Sequence, residues 1–120
     1  MKNNTEKQND FNVYNSQCPI FHALKIIGPK WKLPILWGLM DTDGLHYNEL
    51  KRKVNGITNT MLTKCLKELE ADGIILRHDF KTIPPSVKYK LTKSGEDLLP
   101  TLNELYKWGE KQKWNKSKEL

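Results

Sequence analysis

Residues 55–93, NGITNTMLTKCLKELEADGIILRHDFKTIPPSVKYKLTK, decide the fold. In the first half of this stretch Leu62, Leu66 and Leu69 recur at helical spacing and mark one buried stripe. The opposite face carries Asn59, Thr60, Thr63, Lys64 and Lys67, side chains that hydrogen-bond base edges or phosphates and are not core formers. Thr58 is placed to cap the helix at its N-terminus, and Gly73 to stop it. Glu68, Glu70 and Asp72 make the rear of the helix acidic, so only its front turns suit a polyanion, which is how recognition helices approach DNA. Beyond Gly73 the period changes from helical to alternating. Ile74, Leu76, His78 and Phe80 form one strand pattern, and Val87, Tyr89 and Leu91 a second. Thr82 to Ser86 joins them through Pro84-Pro85, which cannot extend a ladder and stiffens a protruding loop. A reading helix followed by a basic β-hairpin is the expectation. Arg77, Lys81, Lys88 and Lys90, with Thr82 and Ser86, are candidates for phosphate or minor-groove contact.

Upstream, LHYNELKRKV presents Leu45, Tyr47, Leu50 and Val54 at helical intervals, and Asn55-Gly56 closes that helix with a pair suited to positive φ. Two helices joined by a short turn make a helix-turn-helix unit, flanked by Lys51, Arg52 and Lys53. Further back, the Asp41-Thr42-Asp43-Gly44 cluster is a turn. Before it, a helix runs from Lys30 or Trp31 to Met40, with Pro34 in its first turn, where a missing amide is tolerated. The first helix starts at Pro19, carries Ile20, Ala23, Leu24 and Ile27, and stops at Gly28-Pro29. Residues 1–16 read as a mobile polar arm. Downstream, Thr92 caps a last helix with Leu98, Leu102, Leu105 and Trp108 on one face, which Pro100 bends, and residues 113–120 read as a frayed tail.

A chain of 120 residues with 38% hydrophobic content supports one ordinary core, here residues 17–112. Twenty Lys and Arg against 14 acidic residues give a net charge of +6, which favours a polyanionic partner. No apolar run approaches the ~20 residues that cross a bilayer, and MKNNTEKQND lacks the apolar centre of a secretion signal. A cytoplasmic protein without membrane contact is expected. Cys18 and Cys65 make no disulfide scaffold, and three His residues show no zinc-ligand spacing, so neither metal nor cofactor is expected. An enzyme reading lacks parts: there is no nucleophilic triad order, no phosphate-cradling glycine loop and no convincing carboxylate pair.

With these residues placed, the chain resembles the HxlR-type winged helix-turn-helix regulators, a branch of the MarR-like transcription factors. The resemblance runs from Cys18 to about Glu110 through CPI, IGPKW, YNEL, GITNTMLTKCLKELEADGII, PPSVKYKLT, SGEDL and LYKWGE. It implies a mainly α fold with a small β-hairpin wing, and a homodimer that binds double-stranded DNA at a pseudo-palindromic operator. Carried over by position, Thr58 caps the recognition helix while Asn59, Thr60, Thr63 and Lys64 face the major groove. Family members often carry Pro after the cap and a basic residue next. Asn59 and Thr60 stand there in this chain, which weakens the expectation of an Arg-to-guanine contact.

One recognition helix covers too few base pairs to single out a promoter, so two copies in successive major grooves about 34 Å apart are required. The apolar faces of the first and last helices exceed what so small a domain buries alone. Ile20, Leu24, Leu98, Leu102, Leu105 and Trp108 are therefore assigned to the partner subunit. Cys18 lies before Pro19 at a helix N-terminus whose dipole favours thiolate, with His22 one turn on. Some members of the resembled family respond to oxidants or electrophiles through a cysteine there. The bland alternative is a small apolar residue that packs quietly, which is the better reading for Cys65. A small apolar cavity between the first helices and the last is a candidate effector site. The reading is thus a DNA-binding regulator, by default a repressor acting through occlusion; the alternative is a winged-helix protein-interaction adaptor without sequence-specific DNA binding.

Overall fold

The computed structural model describes residues 17–119, so the N-terminal arm, residues 1–16, lies outside the described residues. Helix α1 (Pro19–Ile27) begins where Cys18 is still extended and Pro19 supplies a pre-set helical φ. Helix α2 (Lys32–Leu39) buries Ile35, Leu36 and Leu39, and Pro34 falls in its first turn. Strand β1 (Leu45–His46) follows, then α3 (Tyr47–Lys53) and α4 (Asn59–Ala71). The turn between α3 and α4 needs Gly56, whose φ of +94° is a conformation that side chains rarely adopt.

The sequence pattern starts the third helix at Leu45, and the structure corrects this. Leu45 and His46 pair antiparallel with Tyr89 and Lys88, and the His46 Nδ1 lies 2.9 Å from the Val87 carbonyl. The Glu49 carboxylate accepts the His46 N–H at 2.8 Å, so the helix is capped only from Tyr47 onward. That bond draws the Glu49 carboxyl below its ordinary pKa.

Strands β2 (Ile75–Asp79) and β3 (Val87–Leu91) form the hairpin, and the sheet order is β1-β3-β2. Strand β3 turns Val87, Tyr89 and Leu91 to one face as its sequence pattern has it, but β2 is the reverse of the expectation. Ile75 is buried opposite Leu91, whereas Leu76 is exposed opposite Lys90, and His78 packs edge-on against Phe80 on an exposed face. Ile74 is buried too, but it precedes the strand and belongs to the turn after α4.

Thr92 caps a helix as expected, accepting the Gly95 N–H at 3.2 Å, but this helix, α5 (Lys93–Asp97), is short. The chain turns at Leu98, and α6 (Leu99–Glu119) begins there. Pro100 accounts for the interruption: it has no N–H to continue the ladder across the junction, and it is harmless as the second residue of a new helix. Residues 113–119, placed by sequence in a frayed tail, continue α6.

The core gathers Leu36, Leu39, Leu50, Leu62, Leu69, Ile75 and Leu91 from both sides of the helix-turn-helix, and α6 contributes Leu102. Leu102, at 4% exposure, is thus committed within its own chain, and Leu98 is packed partly against the same core. Leu102 is corrected from its assignment to a partner subunit, because its apolar surface is already spent, whereas Leu98 keeps part of its surface open. The architecture is mainly α with a three-stranded antiparallel sheet, a winged helix-turn-helix.

Candidate nucleic-acid interface

Helix α4 is held from behind by Leu62, Cys65, Leu66 and Leu69, all buried, and this leaves its other side to solvent. The Thr58 hydroxyl oxygen accepts the Met61 N–H at 3.1 Å and fixes the start of the helix. Asn59, Thr60, Thr63, Lys64 and Lys67 are all exposed. The structure therefore brings together, on one edge, the five side chains that the sequence pattern placed there.

In the sequence pattern Tyr47 is a member of an apolar stripe. Its hydroxyl instead reaches across from the first position of α3 to α4, 3.1 Å from the Asn59 carbonyl oxygen, 3.2 Å from Asn59 Oδ1 and 3.2 Å from Thr63 Oγ1. A cleft of about 430 Å³ lies beside this contact, lined by Tyr47, Thr63, Lys67, Glu70, Arg77 and Tyr89 among others. Arg77 is paired with Tyr89 in the hairpin, and paired residues of an antiparallel sheet share a face, so its guanidinium stands on the side toward α4. Lys88 and Lys90 pair with His78 and Leu76 and stand on the opposite face. The basic residues of the hairpin are therefore divided between two faces.

At the hairpin tip, Lys81 has a φ of +57° and its N–H is accepted by Asp79 at 2.8 Å, which lowers the Asp79 carboxyl pKa. Thr82 donates its hydroxyl to the Pro84 carbonyl at 2.8 Å, so this residue shapes the tip and has no proton left for a phosphate. Lys51 and Arg52 line a hollow with Asn48, Asn55 and Gly56 at the turn of the motif. Lys53 is diverted: its ammonium donates to the Gly38 carbonyl at the end of α2, 3.1 Å away.

Behind the interface lie a buried charge that carries no sequence signal and, between α2 and α6, an apolar groove where the sequence leads one to expect a cavity. Lys32, in an otherwise apolar helix, is buried at 3% exposure and ion-paired with Glu68 of α4. The Trp37 and Tyr106 rings stack at 5.2 Å, beside an apolar groove of about 320 Å³ formed by Leu33, Pro34, Trp37, Leu102, Leu105 and Tyr106.

The family model of HxlR-like helix-turn-helix proteins matches residues 26–117, from the end of α1 through most of α6. The chain belongs to this HxlR-like family. A relative from Fusobacterium mortiferum, carrying the name regulatory protein MalR, is 46% identical over 95 residues, which cover 78% of this chain and 89% of the relative. Among solved structures, the redox regulator HypR in its reduced form is 38% identical with a TM-score of 0.76, covering 80% of this chain and 94% of that one. HypR in its oxidized form is 40% identical with a TM-score of 0.73, covering 78% and 96%. The diamide-treated YodB of B. subtilis is 30% identical with a TM-score of 0.67, covering 79% and 94%. This HxlR-like chain is thus a transcriptional regulator of the helix-turn-helix type and not an enzyme. No helix among the described residues is long and apolar enough to cross a membrane.

Both cysteines are free thiols and both are buried, Cys18 at 8% and Cys65 at 2% exposure. Burial pushes the Cys65 thiol pKa up, which suits the packing role expected for it. Of the six apolar residues assigned to a partner, Ile20, Leu24, Leu105 and Trp108 are exposed and Leu98 is partly so.

Proposed function

We propose that the protein binds an inverted-repeat operator as a homodimer and represses transcription by occluding it. In this reading α4 enters the major groove through Asn59, Thr60, Thr63, Lys64 and Lys67, while Lys51 and Arg52 neutralise phosphates beside the turn. Arg77 and Lys81, with Lys88 and Lys90 on the far face, line the hairpin's path along the backbone. One observation supports this most: the exposed polar edge of α4 stands beside the Arg77-bearing face of the hairpin, with no acidic residue on its first two turns.

Dimerisation is the second half of the reading. Ile20 and Leu24 on α1, and Leu105 and Trp108 on α6, are each about half or more exposed, an apolar burden that a second copy would cover. The Trp37–Tyr106 groove adjoins Leu105 and is the place a small apolar effector would occupy. Oxidant sensing through Cys18 is the regulatory part of the proposal. It draws on the similarity to proteins described as a redox regulator and as diamide-treated, and on the position of Cys18 at the N-terminus of α1.

Purified protein, titrated onto duplexes selected from a random library, tests this. The expected outcome is retention of an inverted repeat with half-sites one helical turn apart, and a dimer in solution by sedimentation. A strictly monomeric protein with no preference over scrambled duplex would leave the adaptor reading in its place.

A further inference from the structure

The Tyr47 hydroxyl faces three oxygens of the reading helix, and the protons there can be counted. A phenol carries one hydrogen to give and lone pairs with which to accept. The Asn59 carbonyl can only accept, and the Asn59 Oδ1 likewise. Were the phenol hydrogen given to Thr63, it would leave two acceptor oxygens 3.1 and 3.2 Å from the phenol oxygen with no proton between them. The arrangement that leaves no close pair without a proton shares the one phenol hydrogen between the carbonyl and Oδ1 of Asn59, at 3.1 and 3.2 Å, and sends the Thr63 hydroxyl hydrogen to the phenol, across 3.2 Å.

From this we infer that Tyr47 is a specificity-determining positioning residue: it fixes the donor and acceptor polarity that the front of α4 shows to DNA. Thr63, its hydrogen spent on Tyr47, presents an oxygen that accepts. Asn59, its Oδ1 turned toward Tyr47, presents its amide N–H groups. In the major groove an acceptor matches the exocyclic amino group of adenine or cytosine, and a donor matches N7 or O6 of a purine or O4 of thymine. Locking both side chains before binding also removes rotamer freedom that would otherwise be lost on the duplex. Tyr47 does this from α3, so the first helix of the motif sets what the second one reads.

The inference rests on α4 being the base-reading element, and its test separates the two. Base preferences of wild type and Tyr47→Phe are determined from one random duplex library, together with each protein's affinity for non-specific duplex and its melting temperature. The phenylalanine keeps the ring and removes only the hydroxyl. The expected result is an unchanged fold and unchanged non-specific affinity, with discrimination at one or two positions of each half-site reduced by roughly tenfold. Thr63→Val in the Tyr47→Phe background should then relax the same positions little further, because the two hydroxyls act as one unit. A Tyr47→Phe protein with the wild-type preference profile overturns the inference while leaving the DNA-reading proposal intact. A wild type without any preference overturns both.

Discussion

The Lys32 ammonium lies 2.8 Å from a carboxylate oxygen of Glu68 and is itself almost wholly removed from water, so the reading helix is tied to α2 by a charge that has little solvent to fall back on. Removing the carboxylate strands that charge; removing both leaves a site that apolar groups can fill. Glu68→Gln should therefore lower the melting temperature clearly, whereas Glu104→Gln, which breaks the solvent-exposed pair with Lys107, should leave it nearly unchanged. Lys32→Met combined with Glu68→Leu should recover most of the loss. Thermal unfolding of the four proteins checks this, and equal effects at Glu68 and Glu104 would show that Lys32 finds water or another partner.

Acid should weaken the fold through the same group. The Lys32 ammonium holds the Glu68 carboxyl below its ordinary pKa, the His46 N–H does so for Glu49 and the Lys81 N–H for Asp79. A carboxyl whose folded value is depressed contributes stability that is complete above its unfolded value, about 4, and is lost as the pH falls through the folded value. Denaturant midpoints should thus be level from neutral pH to about 5 and decline below about 4. Glu49→Gln combined with Glu68→Gln should flatten that decline; an undiminished slope would move its origin to other carboxylates.

Gly95 supports α5 against the turn after α4. A Cβ built there would lie 2.4 Å from the Ile74 carbonyl oxygen and 3.1 Å from Leu91 Cδ2, and the first of these is backbone that cannot swing aside. Gly95→Ala should therefore destabilise the protein by about 1–3 kcal/mol, against the helical preference for alanine. Gly109 in α6 is the counterpart, with nothing within 4 Å of a built Cβ. Gly109→Ala should gain up to about 1 kcal/mol. Urea unfolding of the two variants should give opposite signs.

The contrast between these glycines follows from contacts that sequence does not display, and the same holds for much of the site. Thr58, Leu62, Leu66 and Leu69 were legible because capping and a helical stripe are local rules, and they placed Asn59, Thr60, Thr63, Lys64 and Lys67 on the open edge. Leu45 and His46 were not, since their extended state depends on pairing with Tyr89 and Lys88 far along the chain. Leu76 alternates as a core residue would, yet the register of β2 against β3 gives the inward positions to Ile75 and Arg77. Lys32 sits in an apolar run and reads as its one solvated position; only Glu68, on another helix, makes its burial tolerable. Tyr47 satisfies a helical stripe with its ring, and nothing local says where its hydroxyl goes.

The two faces of the hairpin should differ in their hold on DNA. Arg77 shares the cleft between α4 and β3 with Thr63 and Lys67, while Lys90 stands on the other face opposite Leu76. If four phosphates are neutralised per subunit, the logarithm of affinity should fall with the logarithm of salt with a slope of about −7 for a dimer. Arg77→Ala should bring that slope closer to zero by about 2, one contact in each subunit, and Lys90→Ala by less. Binding measured by fluorescence anisotropy from low to moderate salt distinguishes them, and equal changes would mean that the hairpin is gripped from both sides.

The thiols should separate by accessibility. Cys65 lies in the core beneath α4 with its pKa raised by burial, so reaction there requires the packing of Leu62, Leu66 and Leu69 to open. Cys18 is buried where α1 begins, a helix with no fully buried residue of its own, and it stands outside the core cluster that holds Cys65. Native Cys18→Ser protein should react with an aromatic disulfide reagent slower than free cysteine by about two orders of magnitude or more, and native Cys65→Ser protein measurably faster than that. The oxidant response of DNA binding should follow the same division, being lost in Cys18→Ser and kept in Cys65→Ser. Rapid modification of native Cys18→Ser would place an opening motion in the reading helix itself, and would move the proposed sensor from α1 to the core.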